Sequence, residues 1–176
     1  MKINTKALCI TALFTALICV LSPLSFPTPF GVPVTFQTLI IALAAFLLGT
    51  KNALAAVICY ILIGAAGLPV FSGFSAGTAA LVSPTGGFIF AFPLFALLLS
   101  LMFYVNKAAA KIILAVCALL SLYLAGAIQF MIITGGSALA AAGAFSLYFI
   151  KDAAVILAAY FLCVRIRPGI RKFIQP

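Results

Sequence analysis

Six apolar runs, near residues 7–24, 35–49, 52–67, 84–104, 112–134 and 145–164, occupy most of this chain and leave only short connectors between them. Runs of this length and composition suit membrane-spanning helices, several of them close to the lower limit for a span. Hydrophobic residues are 67% of the 176, charged residues 6%, and the soluble alternative fails on that balance, because about a quarter of the residues of a soluble domain are charged. The expectation is an all-α integral membrane protein, a six-transmembrane-helix bundle in one domain over residues 1–176, with no room for a second, soluble unit.

The net charge of +9 would point a soluble protein toward nucleic acid, so the cations have to be placed against the membrane first. With the amino terminus cytoplasmic, Lys2, Lys6, Lys51, Lys107, Lys111, Arg165, Arg167, Arg171 and Lys172 all share the cytoplasmic side. Both termini then lie on that side, and no nucleic-acid partner is implied. Only Lys151 breaks the pattern. The opposite face is built from residues 25–34, 68–83 and 135–144, which carry no charge. Met1 to Lys6 and the run behind them have the outline of a secretory signal, yet no Ala-x-Ala site precedes Ser22-Pro23. The segment is read as a retained helix.

Chemistry is limited by what the chain lacks. Cys9, Cys19, Cys59, Cys117 and Cys163 sit inside apolar runs without a Cys-x-x-Cys pair and read as small buried packing residues. With no histidine and one acid, there is no ligand set for zinc, haem or an iron–sulfur cluster, and neither metal nor cofactor is expected. No Gly-x-x-x-x-Gly-Lys-Ser/Thr sequence occurs, so energy coupling would have to come from a partner. Gly73-Phe74-Ser75-Ala76-Gly77 matches the nucleophile-elbow pattern, but the base is missing along with the strand–turn–helix context. A Ser75–Lys151 dyad is the one hydrolase arrangement left.

The connectors carry more information than the helices. Pro23, Pro27, Pro29 and Pro33, interleaved with Phe26, Phe30 and Phe36, make a stiff, extended, greasy linker that serves either as a lid or as an interfacial anchor. Residues 67–77 are too glycine-rich for a good helix and too apolar for an ordinary loop, which predicts buried non-helical backbone. Ser83 is placed to cap the fourth helix, Pro84 to occupy its first turn and Pro93 to kink it, while Gly86 and Gly87 allow close approach of a backbone or a ligand. Ala12 and Ala16 lie on one face of the first helix and let another helix approach, from within the chain or from another subunit.

Asp152 is the only acidic residue, and it falls inside the last apolar run. A carboxylate there costs several kcal/mol unless it faces a cavity or a partner. Neighbouring residues on a helix point about 100° apart, so Lys151 and Asp152 are not expected to face each other directly, and at least one should meet something else. Lys151 can snorkel on its long stem; Asp152 cannot.

Gly67-Leu68-Pro69-Val70-Phe71 leading into Pro84-Thr85-Gly86-Gly87-Phe88, together with Val32-Pro33-Val34-Thr35-Phe36-Gln37-Thr38, the alanine pair and the late aspartate, resembles the BioY family. These are the membrane-embedded biotin-binding subunits of energy-coupling-factor transporters, and the resemblance covers nearly the whole chain. It implies a non-enzymatic, multi-pass subunit of the bacterial cell membrane. Such a subunit captures biotin from outside and delivers it with a transmembrane coupling protein and two ATPases, with biotin as cargo and membrane lipid around it. Ala12 and Ala16 match the motif by which such subunits dock on the coupling protein.

By the same resemblance Asp152 matches the acid that hydrogen-bonds the ureido ring of biotin, and Ser75 stands where some members have asparagine. The expected site has the proline-rich linker and the 68–83 loop as its roof and Asp152 in its floor. Its other expected members are Gln37, Gly73, Phe74, Gly77, Thr85, Gly86, Gly87, Phe88 and Tyr148. Ile89 and Val155 replace cations that some members offer to the biotin carboxylate. Lys151 is therefore expected to take that role, the alternatives being hydroxyls, backbone N–H groups near 83–87, or water. The rival readings are a subunit for another small vitamin-like ligand, the Ser75 hydrolase and a passive helical bundle.

Overall fold

The structure, a computed structural model, describes residues 5–28, 32–136 and 138–174. Helix α1 (Thr5–Leu21) leads into a small antiparallel pair, β1 (Ser25–Phe26) and β2 (Val34–Thr35), with Ser25 opposite Thr35 and Phe26 opposite Val34. Next come α2 (Gln37–Leu48), α3 (Thr50–Ala65), a 3-10 turn (Ser72–Phe74), the short α4 (Gly77–Leu81), α5 (Gly86–Leu101), α6 (Ala108–Thr134) and α7 (Ala138–Ile174). The proline-rich linker thus keeps its extended character by pairing with itself, since proline fixes φ without completing a helix.

Each expected apolar run falls on one of the six long helices, with shifted ends. The largest shift is at the last: α7 is 37 residues long and begins at Ala138, before the expected start at 145. At about 1.5 Å per residue it runs about 55 Å, well beyond an apolar bilayer core of about 30 Å. In contrast, α2 has 12 residues, short for a span. Among the described residues one helix, α6, with 27 residues, is long and apolar enough by itself to cross a membrane, and α1, α2, α3 and α5 are shorter apolar helices.

Helix α2 is the centre of the bundle. Ten of its 12 residues are buried, and it packs on α7, α5, α3 and α1. Ala42, Ala44 and Ala45 let these neighbours approach closely while Ile41 and Phe46 fill the space between them. Gly49 alone separates α2 from α3, and its φ of +75° is a conformation open to glycine that lets the chain reverse at once. The broadest pairing is α5 on α6. There a side chain on Gly87 would overlap the Ala125 carbonyl, and one on Gly86 would overlap the Leu81 carbonyl and Gln129.

Outward faces are as apolar as inward ones. Helix α6 buries a single stripe, Ala118, Leu119, Leu122, Tyr123 and Gly126, at helical spacing. Its other faces expose Ile112, Ile113, Val116, Leu120, Leu124, Ile128 and Ile132. Water would penalise so wide an apolar surface and lipid does not, which is the physical ground for reading the bundle as membrane-embedded. It also corrects the reading of the cysteines: Cys163 is buried and Cys19 half-buried, but Cys9, Cys59 and Cys117 are exposed.

Cations gather at one end of the bundle. Lys111 Nζ donates to Tyr160 Oη over 3.0 Å, and the Arg167 guanidinium lies 3.8 Å from the centre of the Phe103 ring. The start of α3 joins the same end through Ser100 Oγ, which donates to Thr50 Oγ1 at 2.9 Å. The opposite end holds the hairpin and the 67–85 segment, tied together by the Gly73 amide donating to the Pro23 carbonyl at 3.1 Å.

That segment departs from the expectation of wholly buried backbone. Val70, Phe71 and Ala80 are buried, whereas Leu68, Phe74 and Ser75 are exposed, and α4 supplies internal hydrogen bonds that the glycine content did not predict. Ser83 does not cap α5. Its hydroxyl donates back to the Ala80 carbonyl at 2.7 Å, and Thr85 occupies the cap position without a side-chain capping bond, its hydroxyl meeting Ser83 Oγ at 3.2 Å instead.

Candidate functional site

A cavity with about 640 Å³ of empty space, part of it continuous with solvent, lies at the end of the bundle away from Lys111 and Arg167. Its roof is Val32, Pro33 and Thr35 from the hairpin and Phe71, Ser72 and Ser75 from the following loop. Its walls come from α2 through Gln37 and Thr38, from α5 through Thr85, Phe88, Ile89 and Phe92, and from α6 through Leu122 and Tyr123. Helix α7 closes it with Phe145, Tyr148, Lys151 and Asp152.

Asp152 is the polar centre. Only 4% of it is exposed, and Tyr123 Oη donates to its Oδ2 over 2.6 Å. Lys151 Nζ lies 2.7 Å from Oδ1 as an ion pair, and Oδ1 has no hydrogen-bond partner besides this charge contact. The flexible lysine stem, with its side chain 31% exposed, bridges the angle between neighbouring helical positions. The expectation that the two would not face each other is corrected on that ground, and the expectation of another contact is met by Tyr123.

Aromatic rings line the space beside this cluster. Phe88 meets Tyr123 edge-on at 5.9 Å and Phe145 at 5.6 Å, and its ring fills the space that the missing side chain of Gly126 leaves on α6. Across the cavity Phe71 sits over Gly64 and meets Tyr60 edge-on at 5.5 Å. Such a wall suits a mostly apolar ligand carrying a few polar groups.

The roof is fastened by hydrogen bonds. Tyr148 Oη and Thr28 Oγ1 each lie 2.7 Å from the Val32 carbonyl and also meet each other, so their two protons supply two of these three contacts at a time. Gln37 is buried, with Nε2 donating to Tyr60 Oη at 2.8 Å and Oε1 accepting from Thr35 Oγ1 at 3.2 Å. Gln129 Nε2 holds the loop into α5 by donating to the Leu81 carbonyl at 2.7 Å and the Ser83 carbonyl at 2.8 Å. The linker therefore combines both sequence alternatives: it covers the cavity, and it also exposes Phe26 and Phe36 on its outer side.

Of the residues singled out from sequence, Gln37, Ser75, Thr85, Phe88, Tyr148, Lys151 and Asp152 line the cavity. Gly73, Phe74, Gly77, Gly86 and Gly87 are not in its lining. Gly86 and Gly87 serve the approach of α5 to α6 and to Leu81, Gly73 bonds to Pro23, and Phe74 is exposed at a left-handed φ of +59°. Tyr123 was missed, although a tyrosine in an apolar run is itself a signal, because its hydroxyl needs a partner when buried. Ser75 Oγ donates to the Ser72 carbonyl at 2.8 Å. Ala12 and Ala16 are on the exposed face of α1, opposite the buried Thr11, Phe14, Thr15 and Ile18.

Comparison with known proteins places this arrangement in context. The fold is similar to that of a solved structure described as the S-component for biotin from an ECF-type ABC transporter, with a TM-score of 0.86 over 99% of this chain and 100% of that one at 23% identity. A relative named biotin transporter BioY2, from Lactococcus lactis subsp. cremoris, is 46% identical over 99 residues, 55% of this chain and 54% of its own length. The biotin transporter BioY of Thermotoga maritima is 46% identical over 90 residues, 51% of this chain and 53% of its own length. The chain thus spans about half the length of the curated relatives it matches. The model of the BioY family matches residues 1–172, nearly the whole sequence, and the chain belongs to that family.

Proposed function

We propose that the protein is a biotin-binding membrane subunit, an S component that captures biotin and passes it across the membrane with a coupling protein and two ATPases. The observation that carries this reading is the pairing of Lys151 Nζ with Asp152 Oδ1 at 2.7 Å in the wall of an aromatic cavity. A ureido ring offers N–H donors beside a carbonyl acceptor. Asp152 Oδ1 is a buried acceptor with no hydrogen-bond donor, and the adjacent ammonium has protons to give, so the two sets match. The family and the names of the relatives point the same way.

In this reading the cationic end faces the cytoplasm, both termini lie there, and the roofed cavity opens outward. The exposed Ala12 and Ala16 face is the docking surface for the coupling protein. No chemistry is performed. Ser75 gives its proton to a backbone carbonyl and Lys151 is held at Asp152, an arrangement that supports binding rather than a hydrolytic dyad.

Titrating biotin into detergent-purified protein by calorimetry tests the reading, with Asp152→Asn as control. Saturable binding that Asp152→Asn weakens by more than about tenfold supports it; no heat with either protein refutes it. Mass spectrometry of ligand carried through purification separates biotin from another small vitamin-like molecule. A fluorophosphonate that labels Ser75 would restore the hydrolase.

A further inference from the structure

Biotin carries its ureido ring at one end and its carboxylate at the other, with the thiophane ring and the valeryl chain between them. Lys151 is the only lysine or arginine among the described residues that line the cavity, and segments 29–31 and 137–144 contain neither residue type. One ammonium cannot serve both ends of such a ligand. Its Nζ is held 2.7 Å from Asp152 Oδ1, so it addresses the end that Asp152 addresses.

Drawing the ammonium away would leave Oδ1, on a side chain only 6% exposed, with neither a charge partner nor a hydrogen bond. A buried carboxylate resists that loss strongly. The two charges cancel, and the rest of the lining is uncharged. What the roof offers the ligand is hydroxyl groups: Ser72, Ser75 and Thr35. Among these, Ser72 Oγ is buried with no hydrogen-bond partner and is ready to meet a polar group on a ligand.

We propose that the cavity holds the ureido end of its ligand with Lys151 and Asp152 and meets the tail with uncharged hydroxyls alone, so that it accepts biotin derivatives with neutral tails, esters and amides, as readily as the free acid. This rests on the biotin reading above and replaces the sequence expectation that Lys151 pairs with the carboxylate.

Calorimetric titration of the wild-type protein and of Lys151→Met with biotin, biotin methyl ester and biotinamide decides it. The expected result is wild-type affinities within about threefold of one another, less than one charge-assisted contact would produce, and a common weakening of all three by Lys151→Met. A wild-type loss of more than about tenfold on esterification, the size expected of a carboxylate–ammonium contact, overturns the inference whatever Lys151→Met does, and leaves the biotin reading standing. Failure of biotin itself to bind overturns both.

Discussion

Tyr123 on α6 and Asp152 on α7 are joined by a 2.6 Å hydrogen bond in which the phenol donates to the carboxylate Oδ2. The bond crosses the helix pair that forms one wall of the cavity, and it fixes which carboxylate oxygen remains for other partners. Oδ1 is that oxygen, turned toward Lys151. In the proposed function, structure and binding meet on one side chain: a buried acid that would destabilise the bundle alone is held by a phenol on one side and an ammonium on the other.

Tyr123→Phe removes the donor and leaves Oδ2 unsatisfied. The expected cost is about 1–3 kcal/mol of stability, read as a lower unfolding midpoint in detergent, together with weaker biotin binding. Added biotin should recover part of the lost midpoint, because a ligand that binds the folded state stabilises it.

Lys151→Met and Asp152→Asn form a double-substitution cycle. Because the Asp152 side chain is only 6% exposed, removing the ammonium strands a buried carboxylate, and the coupling in the unliganded protein should exceed that of a surface pair, at about 3 kcal/mol. Asp152→Asn should weaken biotin by more than about tenfold, since the amide offers the ureido N–H groups a poorer acceptor than the carboxylate. Unfolding midpoints and titration heats of the four proteins check the two statements separately.

Gly87→Ala should be damaging, because its methyl group would overlap the Ala125 carbonyl, a backbone atom with little room to move, and Gly86→Ala, whose methyl group would come closer still to the Leu81 carbonyl, should cost at least as much. A loss of about 1–3 kcal/mol is expected from forcing the α5–α6 pair apart. Gly169→Ala, where a methyl meets no atom within 4 Å, is the control. The fraction of protein eluting as a single species in size-exclusion chromatography compares them.

Gln129→Ala should loosen the roof from a distance. It removes donors to the Leu81 and Ser83 carbonyls, each worth about 1 kcal/mol, without touching the cavity lining. Faster hydrogen exchange in residues 78–88 is expected, with biotin dissociating several-fold faster as the loop opens more often.

Ala12→Leu with Ala16→Leu should leave biotin affinity within about twofold of the wild type, because both alanines face away from the packed side of α1. If the proposed docking on a coupling protein holds, co-purification with that protein should fall sharply, since close helix approach needs small side chains. Parallel titration and pull-down separate the two effects.

Helix positions were legible because apolar runs in a chain of mean hydropathy +1.41 leave little else for the backbone to do. Their ends were not. The extra turns of α7 before residue 145 run through Ala138-Leu139-Ala140-Ala141-Ala142-Gly143-Ala144, mostly strong helix formers, so helix propensity carries the element past the point where a boundary drawn on hydropathy alone begins it. Which face of each helix points inward was hidden too. Cys59 and Tyr60 are adjacent in one apolar run, yet the cysteine is exposed and the tyrosine wholly buried.

Sequence by itself determined that Asp152 must be explained, and that one acid and no histidine are all the chain offers for acid–base chemistry. Only the tertiary structure decided what Asp152 meets. Tyr123 lies 29 positions away in the chain, and nothing in the intervening sequence aligns the two. The Lys151 contact depends on a flexible stem whose direction its neighbours in space control. Lipid and protein interior are equally apolar, so hydropathy cannot say which side of a membrane helix is buried; packing, and the few polar groups that must find partners, decide it.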